Sequence, residues 1–248
     1  MPDLLIADPP HEPGDLTQAA ELLGLAVAEL RLKINYSVPE IWFADTSSAK
    51  VEEAADVLGR AGLHVARVPD RALAAVPDAI IAMESGIGHD GLTLATDTER
   101  GTLAPARTAL LVAFSAQSPA PADAPPARAD PYWFEDGLRR WRMTVGATAL
   151  RGMGDGQSGS QTGELLRFVG ECEARLSRAT VDRRSVNMKL RHRWRRGPVP
   201  TGGPQRKGYS YASPGLDALL AGIEPGLEEL DQPELTSRLA FLTWGARM

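Results

Sequence analysis

Apolar residues fall into short blocks along this chain, and the period within the blocks changes partway. "LLIAD" (4–8) is a compact apolar run and predicts a strand. After the turn-rich "PPHEPG", Asp15 stands as an N-cap before "LTQAAELLGL", where apolar residues recur at helical spacing. Gly24 interrupts, "AVAELRLKI" predicts a second short helix, and Pro39 ends the helical region. "EIWFAD" (40–45) predicts a buried strand. Thr46 to Ser48 supply N-caps for "AKVEEAADVLGRAG", in which Val51, Ala54, Ala55 and Leu58 share a face and Gly62 marks the end. "LHVARVP" (63–69) alternates as a strand does. The predicted order is βααβαβ.

From residue 78 the period shortens. Strands are predicted over 79–84, 91–96 and 107–115, separated by the turn signals "GIGHDG" and "TERG". Asp90-Gly91 is a favourable hairpin dipeptide, so these strands read as an antiparallel meander. "QSPAPADAPPARADP" is rich in Pro and Ala and predicts a linker, 117–130, between two modules. Beyond it "YWFEDGLRRWRMTV" reads as a hairpin turning at Glu135-Asp136-Gly137. "GATALRGMGDGQSGSQTG" reads as a strand end and a glycine-rich loop. A helix follows over 164–177, with Leu165, Phe168, Val169, Cys172 and Leu176 on one face. A basic strand comes next, then two helical stretches, "SPGLDALLAGI" and "PELTSRLAFLTWGARM". The expected class is α+β: a βααβαβ module with a meander over 1–116, and a module of hairpin, helix, basic strand and short helices over 131–248.

The helix junction "LGL" at 23–25 and the closing "RAGLHVARV" strand resemble the C-terminal domain of the bacterial ribosomal stalk protein. The resemblance covers residues 4–69 and implies the fold of that module only. The family's Lys- and Gly-rich contact face has little counterpart, since Lys33 and Lys50 are the only lysines there. The whole layout also resembles uncharacterised bacterial proteins that join such a module to a meander and a hairpin-plus-helix module, which brings no activity.

Composition narrows the chemistry. A single cysteine, Cys172, rules out an intrachain disulfide and a cysteine-based zinc site. The N-terminus has no basic stretch followed by an apolar run, and no segment approaches a membrane span, so a cytoplasmic protein without membrane contact is expected. The four histidines, His11, His64, His89 and His192, never pair at helical spacing. His89 beside Asp90 is a turn residue first and a catalytic base second. "GDGQSG" (154–159) matches a dinucleotide fingerprint, and Asp182 lies 23 residues further on. However, "SQTG" separates its last glycine from the helix that should receive the pyrophosphate, and Arg151 interrupts the preceding strand. The prolines of "GPVPTGGPQRKGYS" remove amide donors that a phosphate cradle requires. Cys172 lies on the apolar face of its helix, where a thiol is inert. No catalytic residue, cofactor or metal is predicted.

Charge then singles out one segment. The net charge of −5 conceals a partition: residues 175–207 carry eleven Arg or Lys against one acid, Asp182, giving +10, while the remainder carries −15. Within it "RRSVNMKLRHRWRRG" alternates, with Val186, Met188, Leu190, His192 and Trp194 on one face and cations on the other. The candidate interaction residues are Arg183, Arg184, Lys189, Arg191, Arg193, Trp194, Arg195, Arg196, Arg206, Lys207 and Tyr209. An acidic protein surface is one partner class, and another subunit of the same chain, giving a homo-oligomer, is a second. Residues 217–234 carry six acids and no base, so internal docking is a third. Nucleic acid is the alternative partner, through phosphate contacts and stacking on Trp194. An enzyme built on the glycine-rich loop and His89 is the remaining class.

Overall fold

A computed structural model of the chain describes residues 3–8, 13–34, 38–117, 124–151, 159–188 and 232–247. It is of the α+β class. The chain divides into two compact units, Met1–Val76 with Arg191–Met248, and Pro77–Leu190. The division falls ahead of the meander, not in the Pro/Ala-rich stretch. Arg128–Asp130, at the end of the expected linker, are strand residues that pair with Val112–Phe114, so a domain boundary there would cut a hydrogen-bonded pair.

In the first unit the βααβαβ order read from the sequence is realised as β1 (Asp3–Asp8), α1 (Thr17–Leu22), α2 (Val27–Ile34), β2 (Glu40–Asp45), α3 (Ser48–Arg60) and β3 (His64–Pro69). A short helix that the sequence did not announce, α4 (Asp70–Ala74), follows. β1 is the central strand and pairs antiparallel with β2 and β3. Both of its faces are buried. Leu5 and Ala7 pack with Trp42 against Leu16, Leu30, Val51 and Leu58 of the α1–α3 side. Leu4 and Ile6 pack on the opposite side with Ile41, Val68 and Leu73, and with Leu239 of the helix Gln232–Gly245, labelled α6. Arg238 of α6 donates to the carbonyls of Leu73 (3.3 Å) and Val76 (2.7 Å), which closes the C-terminal end of α4, and it is ion-paired to Glu234 at 2.7 Å. Lys33 is buried: it holds Glu40 at 2.9 Å and lies over the Trp42 ring.

The second unit holds β4 (Ile80–Ile81), β5 (Glu84–Gly88), β6 (Gly91–Ala95), β7 (Arg100–Leu103), β8 (Ala109–Ala116), β9 (Arg128–Phe134), β10 (Leu138–Thr144), β11 (Ala149–Arg151), α5 (Gln161–Arg175) and β12 (Ala179–Met188). The expected strand over 79–84 is two pieces, β4 and β5, which belong to different sheets. "TERG", expected as a turn, instead runs into the extra strand β7, which begins at its Arg100. One sheet runs β11-β5-β6-β7, in which β5, β6 and β7 form an antiparallel meander; the other runs β12-β8-β9-β10-β4, so the strand expected over 107–115 as the third of the meander is β8 of the other sheet. Side chains from both sheets and from α5 form one core, with Leu92, Leu94, Leu111, Trp133, Trp141, Met143, Phe168 and Cys172 at its centre.

Trp133 and Trp141 lie parallel in this core, with centroids 6.4 Å apart. Trp141 rests on Gly101 of β7, where an added Cβ would lie 2.8 Å from the indole Nε1. Gly101→Ala is therefore expected to destabilise the unit by about 1–3 kcal/mol through overpacking. Urea denaturation followed by tryptophan fluorescence measures it, and an unchanged midpoint would show that the indole yields freely.

Candidate functional site

Among the predicted interaction residues, Arg183 and Arg184 lie on β12; Lys189, Arg191, Arg193, Trp194, Arg195, Arg196, Arg206, Lys207 and Tyr209 lie outside the described residues. β12 is an edge strand, paired in parallel with β8. The pairing slips twice, between Asp182 and Ser185 and again between Ser185 and Met188, and Asn187 adopts a left-handed φ of 58°. Two bulges override the simple alternation expected from the sequence. Val181 and Val186 pack on the core, whereas Asp182, Ser185 and Met188 register with Val112, Phe114 and Ala116 on the other face. Val186 and Met188, expected on one face, are thus on opposite ones.

The two arginines are held differently. Arg184 grips Asp182, with Nε donating at 2.9 Å and Nη2 at 2.5 Å, while its own backbone N–H donates to the same carboxylate. Asp182 is buried, so this guanidinium is fixed by a two-pronged contact to a carboxylate inside the fold. Arg183 donates to Glu173 of α5; both side chains are exposed, at 40% and 45%. The next pair along α5, Arg175 with Glu171, is likewise at the surface.

The same five-stranded sheet carries a charged cluster that the sequence reading passed over. Asp130 of β9 accepts from Arg140 at 2.9 Å and from Arg142 at 3.0 and 3.1 Å, and Arg128 approaches it to 3.5 Å. Arg140 also lies over the Tyr132 ring and donates to the Pro77 carbonyl at 3.2 Å. Asp130 and Arg140 are essentially inaccessible to water. Burial pushes the carboxyl up; the charges of Arg128 and Arg142, the hydrogen bond from Arg142 and the charge of Arg140 outweigh it and hold Asp130 at about 2. Strand alternation was the available signal. "RADPYWF" places Arg128, Asp130 and Tyr132 opposite Ala129, Pro131 and Trp133, and "LRRWRMT" places Arg140 and Arg142 opposite Trp141 and Met143. The arginines bring Asp130 its counter-charges, and the cluster fixes the sheet.

Among the described residues, the other candidates lie on separate elements. His89 and Asp90 form the fully exposed tip of the β5–β6 hairpin, 3.3 Å apart. Cys172 is buried, and desolvation, with Glu171 and Glu173 nearby, pushes its thiol up to about 12, far from thiolate at neutral pH. In the "GDGQSG" stretch only Gly159 is described; α5 starts at Gln161, and its N-cap Ser160 accepts from Gly163 N at 3.1 Å. Among the described residues no group of three His, Cys, Asp or Glu side chains is placed to hold a metal ion, and no helix is long and apolar enough to cross a membrane. Comparison with family models, curated proteins and solved structures found no match to this chain.

Proposed function

We propose that the chain is a non-catalytic interaction or assembly protein of the bacterial cytoplasm that presents its cationic segment to an acidic protein surface. One observation carries the reading: a +10 segment within a chain of net −5, whose described part includes Arg183, an exposed arginine on an edge strand. Such a partition attracts an acidic surface over a distance of about a Debye length and orients it before contact. Arg191, Arg193, Arg195 and Arg196 supply charge, and Trp194, Tyr209 and Tyr211 supply the aromatic anchors that interfaces favour.

The test is fluorescence anisotropy with a labelled oligo-glutamate peptide and with mixed-sequence DNA and RNA, at low and moderate salt. The wild type is expected to bind the peptide, and replacing Arg191, Arg193, Arg195 and Arg196 with Ala to weaken it by about tenfold or more. The interleaving of Trp194 with arginines favours the second reading, an accessory nucleic-acid binder. Tighter binding of DNA or RNA than of the peptide, with a steep salt slope, would select it. Equal affinity of wild type and variant for every probe would remove the segment from the function.

A further inference from the structure

We infer that the sheet built on β1 accepts α6 from a second copy of the chain as well as from its own, so that two chains close one another by exchanging the helix. The first unit is incomplete without α6, and its own run of strands and helices does not supply one. Leu4, Ile6, Ile41, Ala66, Val68 and Leu73 form an apolar face that Leu239 completes, with Leu235 and Leu242 packed against it. The face comes from residues 4–73, and the helix follows only after the whole of Pro77–Leu190. Chain connectivity therefore does not dictate whose helix fills the face.

The contact is specific towards both ends of the helix. Arg238 donates to the Leu73 and Val76 carbonyls and is held by Glu234, one turn earlier. Arg247, just beyond the helix, is ion-paired to Asp8 at the end of β1. With leucines at helical spacing beside these anchors, helix and face recognise each other in one direction and one register. A second copy offers the identical set, so exchange loses no contact of the closed unit. What favours a chain's own helix is tethering. Residues 189–231 separate β12 from α6, and a connection of that many residues gives an effective concentration of no more than about millimolar. Below it chains close on themselves; above it they close on each other. Either form then persists, because releasing α6 uncovers the apolar face. The site lies within residues 4–76 and 234–247 and does not depend on the cationic segment.

Cysteines at two exposed positions read the exchange: His64→Cys, in register with Asp8, and Ala246→Cys, beside Arg247. The native Cys172 is buried, so it stays silent to maleimides. A bismaleimide is chosen whose spacer joins the two sites within a chain carrying both changes. The two single variants are then mixed in urea, refolded together at about 1 mM or about 10 µM, and diluted before cross-linking. The concentrated sample is expected to give at least about tenfold more covalent heterodimer than the dilute one, with a dimer peak in size exclusion. Leu239→Ala in both chains should shorten the lifetime of that dimer after dilution by about tenfold or more. Absence of the heterodimer band from the concentrated sample would overturn the exchange. An equal band from variants refolded separately and mixed briefly would do the same, as would a size-exclusion dimer that gives no band, since each places the contact elsewhere. These outcomes leave the binding of acidic probes untouched, so this inference and the function proposed above fail separately.

Discussion

Removal of residues 232–248 is expected to unfold the N-terminal unit. α6 covers the face of the three-stranded sheet formed by Leu4, Ile6, Ile41 and Val68, and Arg238 closes the end of α4. Fully burying a side chain of this size contributes about 1.5–3 kcal/mol, so uncovering several of them costs on the order of 5 kcal/mol or more. A typical domain has only about 5–15 kcal/mol to lose. The truncated chain should bind a hydrophobic dye and be cleaved within residues 1–76 under conditions that leave the full chain intact. Leu239→Ala keeps the helix and tests the same contact more gently, with an expected loss of about 2–5 kcal/mol in urea denaturation. A truncated chain whose first unit melts as before would mean that the α1–α3 layer alone suffices.

Asp130→Asn is the second large effect, in the other unit. It removes the carboxylate on which Arg128, Arg140 and Arg142 converge while keeping the size of the side chain. Breaking a buried ion network from one side costs about 3–5 kcal/mol, which corresponds to a fall in Tm of more than about 10 °C. The pH dependence has a definite sign. The folded-state pKa of Asp130, about 2, lies below its ordinary value of 3.8, so its contribution is complete above the ordinary value and is lost as pH falls towards 2. Wild-type stability should drop across that window, and the Asn variant should lack this share of the drop. Urea midpoints at neutral and acidic pH read both effects. Matching midpoints at neutral pH would show that the arginines hold the sheet without the carboxylate.

How much of this was legible in the sequence depends on whether the signal was local. β1 is legible: "LLIAD" is apolar on both parities, as a strand covered on both faces must be. The helix that covers its second face carries Leu235, Leu239 and Leu242 at helical spacing, yet nothing local says which strand they meet. The Asp130 cluster is half legible. Alternation in "RADPYWF" and "LRRWRMT" sorts the charges onto one face, but only the hairpin register shows that Arg140 and Arg142 flank the carboxylate. β12 is the opposite case. A clean alternation from Val186 onward is what propensity predicts, and between Val186 and Met188, the described part of it, two slips against β8 and a left-handed Asn187 break it, because register is set by the partner strand. The linker misled for a related reason. Pro and Ala discourage a strand reading, yet Arg128, Ala129, Asp130 and Pro131 lie in β9 and pair with β8.

Closing the β1 sheet with α6 also fixes when the first unit can finish folding. The ribosome releases residues 1–76 early, but the helix that shields Leu4, Ile6 and Ile41 is made roughly 160 residues after β3. At typical translation speeds that is a delay of about 10–30 s. For that interval the nascent chain carries a half-covered apolar sheet while Pro77–Leu190 is being synthesised. A chaperone that holds exposed apolar strands has its substrate there, and slowing translation late in the message should raise aggregation more than slowing it early.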